Sequence, residues 1–254
     1  MQIRFINTGT LNVKAREMIC PVGLDQIKRK YIVDESGLMR LGMNTLLVIE
    51  SDRVVLIDPG CADFLPRSIS ETYGLKIDLS IERGILEAGI TPEEVTDVIF
   101  THLHFDHGSG AFRRVPGKIE KKFTNARYHV LRDHFKYALK PERKEAGTFF
   151  TMFFRYIDRI HWLEDWKPDW IEFETFFGHT RGMVVPKIHT PEGPLYYLTD
   201  LVPMEMFLEH GIYSGYDLDP EQVLREKEKF INELDETSRR IYFHELLENN
   251  NIYP

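Results

Sequence analysis

The chain has 254 residues, 43% of them hydrophobic and 28% charged, enough apolar material for a sizeable core and too much for a disordered chain. Its 32 basic and 40 acidic side chains leave a net charge of −8, and without a basic stripe this argues against a nucleic-acid partner. No window approaches the ~18 consecutive apolar residues of a membrane helix, so no membrane partner is expected.

The N-terminal stretch MQIRFINTGTLNVKAR lacks the continuous apolar run of a signal peptide. Two cysteines, Cys20 and Cys61, cannot build a disulfide framework and read as reduced thiols. Both features predict a cytoplasmic protein. Residues 44–58 predict two strands, Leu46–Glu50 and Arg53–Asp58, turning at Ser51-Asp52. Residues 78–88 suit a helix stopped by Gly89. Thr91-Pro92-Glu93-Glu94 is a helix start with a capping box. A buried strand is expected at Asp97–Thr101, another at Arg127–Leu131, and a helix at Asp133–Leu139. Strands near Val184–His189 and Leu195–Thr199 flank a Pro-Glu-Gly-Pro turn. A charged helix at Glu221–Leu234 and a strand at Arg240–Phe243 follow. Alternating β and α signals mixed with hairpins predict an α/β fold with mixed sheets. Glycines and prolines are scattered as turn punctuation with no linker, so one domain over 1–254 is expected, with a helical insertion at about 131–168.

The chemically informative stretch is Thr101-His102-Leu103-His104-Phe105-Asp106-His107-Gly108, directly after a predicted strand. Neutral imidazole and carboxylate suit Zn, Fe or Mn. An extended His-x-His turns both rings to one side, and Asp106 and His107 lie past the bend. Packing does not account for such a cluster, because each buried polar group left unpaired costs ~1–3 kcal/mol. His179, Asp200 and His244 also sit at strand ends or in loops, but nothing local ties them to the first group.

Five motifs in order, LIDPG, THLHFDHGSG, FFGHTRG, YYLTD and YFHE, make the chain resemble the metallo-β-lactamase superfamily. The resemblance implies an αββα sandwich of two mixed sheets with outer helices. It implies one metal on His102, His104 and His179, a second on Asp106, His107 and His244, and Asp200 bridging them. Asp58 would orient the ligand loop from behind. The stretches LMRLGMNTLLVIESDRVVLIDPG, ILEAGITPEEVTDVIFTHLHFDHGSG and YDLDPEQVLREKEKF are more similar to the lactonase and organophosphate-hydrolase (methyl parathion hydrolase-like) branch. Arg181 and Met183 depart from the common GHTPGH pattern, and Pro203 stands where some quorum-quenching lactonases carry a tyrosine.

The implied activity is hydrolysis of a small ester-like substrate: a lactone, carboxylic ester, thioester or phosphotriester. Two divalent ions, zinc first and iron or manganese next, would share a bridging hydroxide. Asp106 is the expected proton shuttle. The rival reading is an iron-dependent oxygenase or reductase of the same fold, similar to persulfide dioxygenases. Residues 149–170 hold eight aromatics in 22 positions and read as an amphipathic helix. They would either pack on the sheet or a second copy of the chain, giving a homodimer, or form an apolar lid. In the lid reading Phe150, Phe153, Phe154 and Trp162 line the substrate pocket. Arg181 would either hold an anionic substrate group or sit in a surface ion pair.

Overall fold

A computed structural model describes residues 1–77 and 80–246. Strands β1 (Gln2–Lys14) and β2 (Leu38–Glu50) form a long antiparallel pair, irregular between Asn7 and Thr10. A side chain on Gly9, at φ 148°, would collide with the Lys76 carbonyl. β2 continues through the Ser51-Asp52 turn into β3 (Arg53–Ile57). From there β4 (Asp97–Ile99), β7 (Arg127–Val130) and β8 (Ile160–Trp162) are laid down in parallel. The six-stranded order is β1-β2-β3-β4-β7-β8. Leu46, Leu47 and Val48 are all fully buried, which accounts for an unbroken apolar run rather than alternation. Between β4 and β7 a small hairpin, β5 (Phe112–Val115) and β6 (Lys118–Lys121), turns at Pro116-Gly117.

The second sheet has the order β12-β11-β10-β9. β9 (Ile171–Phe176), β10 (Met183–Thr190) and β11 (Gly193–Tyr197) are antiparallel, and β12 (Arg239–Ile241) runs parallel to β11. The sheets are stitched together at Asn44 in β2. Its amide donates to the Tyr242 and Glu245 carbonyls, and its own carbonyl accepts from the Tyr197 hydroxyl (3.1, 2.7 and 2.8 Å).

Seven helices accompany the sheets among the described residues: α1 (Ala15–Met18), α2 (Leu24–Ile27), α3 (Arg67–Thr72), α4 (Ile81–Glu87), α5 (Phe105–Gly108), α6 (Arg132–Leu139) and α7 (Pro220–Glu233). The hydroxyl of Ser80 caps α4 by accepting from the Arg83 N–H (3.2 Å). Asp78 and Leu79, which the sequence assigned to this helix, lie outside the described residues. Thr91 and Glu94 do form a capping box, but it closes a single 3-10 turn, Pro92–Glu94. α7 starts at Pro220 under an Asp219 cap and lays Phe230 against Phe176 and Tyr196. No helix among the described residues is long and apolar enough to cross a membrane. The mixed α/β sandwich expected from the sequence is present.

The aromatic segment corrects the sequence reading. It is not an amphipathic helix. Thr151–Tyr156 is a 3-10 turn, β8 follows, and Leu163–Asp165 is a second 3-10 turn. Within 131–168 only α6 is α-helical. β8 gains a parallel ladder on β7, a pairing distant in sequence that overrides the local spacing. Phe153 and Phe154 are buried against Phe112 and Phe100, ring centroids 5.4 and 5.6 Å apart, beneath the histidine loop.

Candidate metal centre

Every candidate ligand follows the carboxyl end of a strand. The chain after β4 is locked first. The Asp58 carboxylate, just past β3, accepts from the Thr101 N–H (2.8 Å) and the Thr101 hydroxyl (2.6 Å). Asp58 takes φ 50°, a left-handed conformation costly for a residue with a side chain. Its backbone is held there by N–H donation to the Ile99 carbonyl (3.0 Å) and acceptance from the Thr45 hydroxyl (2.7 Å). Thr199, preceding Asp200, is held at φ 46°. Gly178, preceding His179, touches α7 so closely that a Cβ would lie 2.4 Å from the Val223 nitrogen. These constraints aim His102, His104, His179 and Asp200 at one point, and Asp106, His107 and His244 at another. The ligand atoms within each group lie within 4.8 Å of one another.

Each imidazole has one nitrogen tied down and the other turned inward. His102 Nδ1 donates to the Thr101 hydroxyl (3.1 Å), and His107 Nδ1 to Asp58 (2.9 Å). His104 Nε2 donates to Glu145 (3.0 Å), His179 Nδ1 to Asp217 (2.8 Å), and His244 Nδ1 to the Gly42 carbonyl (2.9 Å). Of the inward atoms, His104 Nδ1 and His179 Nε2 lie 3.2 Å apart as a pair, and three others are poorly served. His102 Nε2, His107 Nε2 and Asp200 Oδ1 are buried without a hydrogen-bond partner among the described residues. His107 Nε2 lies 3.3 Å from Asp200 Oδ2 but off hydrogen-bond geometry. Such atoms cost ~1–3 kcal/mol each unless something else engages them. A nitrogen and oxygen donor set with outward nitrogens fixed by acceptors fits divalent metal. Asp58 has both oxygens occupied by Thr101 and His107, so it faces the back of the ligand ring rather than the ligand points.

Charge explains the same design. Burial, with His107 and His104 close by, drives the His102 imidazolium far down. Burial presses His179 down too, but Asp200 and Asp217 outweigh it and lift it to about 10. Burial would raise Glu145, yet His104 and Tyr137 outweigh it and bring it to about 2. His134 is pushed by burial down to about 4 and is therefore neutral. Its Nε2 accepts the Leu103 N–H (2.9 Å) and its Nδ1 donates to the Arg181 carbonyl (2.7 Å), joining two ligand loops.

A cavity of about 350 Å³ opens over the ligands His104, Asp106, His179, Asp200 and His244. Leu11, Val13, Met18, Leu41 and Phe105 give it an apolar wall, and Tyr73, Pro203, Tyr216 and Lys144 also border it. The pocket expected from the sequence is elsewhere. Phe150, Phe153, Phe154, Trp162 and Arg181 do not line this cavity. Phe150, Phe153 and Phe154 border a small void behind His104, and Trp162 carries the Arg132 guanidinium over its ring at 4.5 Å. Arg181 is used structurally, bonding the Phe177 carbonyl, Gln222 and Glu142. Glu145 and Asp217 were not anticipated. Asp217 lies in the YDLDPEQ stretch, whose acidic pair is its only local signal. Glu145 carries none.

Glu145→Gln and Asp217→Asn should each weaken metal affinity by ~10–100-fold, because each removes the carboxylate that orients a ligand ring. Competition with a chromogenic chelator measures this, and unchanged affinity in both variants would contradict the geometry. Lys227, only 2% exposed, donates to the Ile212 carbonyl beneath the loop that carries Asp217. Burial lowers its ammonium to about 8, with Asp217 opposing. Below pH 8 the lysine is charged in both folded and unfolded chains. Between pH 8 and 10 the unfolded chain holds the extra proton, so stability should rise with pH by about 1–3 kcal/mol. Chemical denaturation of wild type and Lys227→Met checks this: the rise should vanish in the variant.

The metallo-beta-lactamase superfamily profile matches residues 40–204. No curated protein matches the chain by sequence. Among solved structures, a probable metal-dependent hydrolase from Staphylococcus aureus superposes with TM-score 0.87 at 21% identity, covering 96% of this chain and 88% of that one. AidC, a dizinc quorum-quenching lactonase in complex with a product, gives TM-score 0.77 at 17% identity over 95% and 86%. The hydrolase AbOPH gives TM-score 0.77 at 21% identity over 96% and 86%. The profile match runs from β2 through both ligand loops to the residues just past Asp200, and on that ground the chain belongs to the metallo-β-lactamase superfamily.

Proposed function

We propose that the chain is a metal-dependent hydrolase of a small ester-like substrate, either a lactone, carboxylic ester, thioester or phosphotriester. The observation that carries this is the set of buried, unpaired inward atoms, His102 Nε2, His107 Nε2 and Asp200 Oδ1, grouped with ligand-type side chains that border a cavity with an apolar wall. His102, His104 and His179 would hold one divalent ion, Asp106, His107 and His244 a second, and Asp200 both. Zinc suits this donor set best, with iron or manganese as alternatives. Divalent ions in such a setting supply Lewis acidity and a hydroxide nucleophile at neutral pH. The chain's own part is to fix ring tautomers through Thr101, Glu145, Asp58, Asp217 and Gly42, and to present the substrate's carbonyl or phosphoryl centre from the cavity. Asp106 borders the cavity, 3.6 Å from His244, which supports giving it the transfer of a proton to the leaving group. Its neighbours Tyr73 and Tyr216 stay protonated, because burial and nearby acidic groups raise both phenols. The Tyr73 hydroxyl serves as a donor at the cavity wall, whereas that of Tyr216 is taken by Glu17. Titration of the zinc-loaded protein against a panel of short esters, lactones and aryl phosphotriesters tests the reading. Turnover of none of them, with full metal, would overturn it.

A further inference from the structure

We infer that the cavity selects substrates bearing a carboxylate, which Lys144 receives at the rim. This deepens the hydrolase reading and rests on it for the site. Lys144 is the one lysine or arginine among the residues bordering the cavity. Among the described residues its ammonium has a single partner, the neutral backbone carbonyl of Asp217. That tether places the cation beside the loop whose Asp217 side chain holds His179. An ammonium has three donors, so two remain. The nearby carboxylates do not neutralise it. Glu145 is spent on His104 and Tyr137, and Asp217 on His179 and the Ser214 N–H. The cation nearest in sequence to His179, Arg181, is engaged with Glu142 and Gln222. An unpaired point charge therefore borders a cavity among whose lining residues Leu11, Val13, Leu41 and Phe105 offer apolar contact. A short aliphatic chain along those residues, ending in one carboxylate toward Lys144, satisfies both surfaces. A single cation suits a monoanion.

The probes are methyl hexanoate and monomethyl adipate, equal in chain length and differing by one carboxylate. On zinc-loaded wild type at low salt, kcat/KM should favour the adipate monoester by roughly 5-fold, the scale of a rim ion pair. The preference should shrink at high ionic strength. Lys144→Gln retains an N–H for the Asp217 carbonyl but carries no charge, and should bring the ratio near one. Lys144→Arg should keep it. A wild-type ratio of one or below, or an unchanged ratio in Lys144→Gln, would overturn the inference. Calorimetric binding of adipamate against hexanamide, equal in length and differing by one carboxylate, to the same proteins gives the ratio without turnover. If neither ester is hydrolysed, the hydrolase reading is decided by the lactone and phosphotriester members of the panel. The binding ratio still decides the role of Lys144: a preference lost in Lys144→Gln supports it, and equal binding in wild type removes it.

Discussion

Asp200→Ala should empty both halves of the centre, with activity falling well beyond the ~10–100-fold typical of losing a residue that only orients a ligand. One carboxylate oxygen lies 3.0 Å from His179 Nε2, and the other lies 3.4 Å from His244 Nε2. Asp200 is also held ionised: burial would raise its carboxyl, but His107, His179 and His244 outweigh that and depress it strongly. Removing it takes away the negative charge that two cations would share. Asp58→Ala is the matched comparison, since it removes a buried carboxylate without removing a ligand. It should fall within the orienting range and keep part of its metal. Elemental analysis beside ester turnover reads both variants. An Asp58 variant emptier than the Asp200 variant would reverse the two roles.

Metal-replete wild type should carry two ions per chain, and His244→Ala should carry about one. His102, His104, Asp106, His107, His179, Asp200 and His244 together exceed what one tetrahedral ion with an open position can use. The loss should be confined to one half, because His102, His104, His179 and Asp200 form a group without His244. The Gly42 carbonyl that holds His244 belongs to β2, whose pairing the substitution leaves intact. A wild-type stoichiometry of one, unmoved in His244→Ala, would contradict the dinuclear reading. A coloured protein with iron at that stoichiometry would point instead to the oxygen-handling chemistry that the sequence also allows.

The sequence by itself determined what local spacing can carry. His102-x-His104 in extended backbone followed by Asp106-His107 in a turn places four ligand-type side chains within six residues. The apolar runs of β2, β3 and β4 announce buried strands, and the charged stretch from Glu221 announces α7, whose Asp219 cap the structure adds. The remaining ligand-type residues were legible only through resemblance, since no spacing rule links His179, Asp200 or His244 to the first cluster. The tertiary structure decided the rest. Glu145 reaches His104 across 41 residues, and Asp217 reaches His179 across 38. Such pairings depend on which loops the sheet order brings together, and a single acidic residue in a loop gives no sign of them. The aromatic segment was misread for a related reason. Its spacing fits a helix, but parallel pairing of β8 with β7 stabilises a strand through hydrogen bonds that local periodicity cannot register. The wall of the cavity over the ligand groups then fell to β1, α1 and β2, whose Leu11, Val13, Met18 and Leu41 border it where the aromatic segment does not.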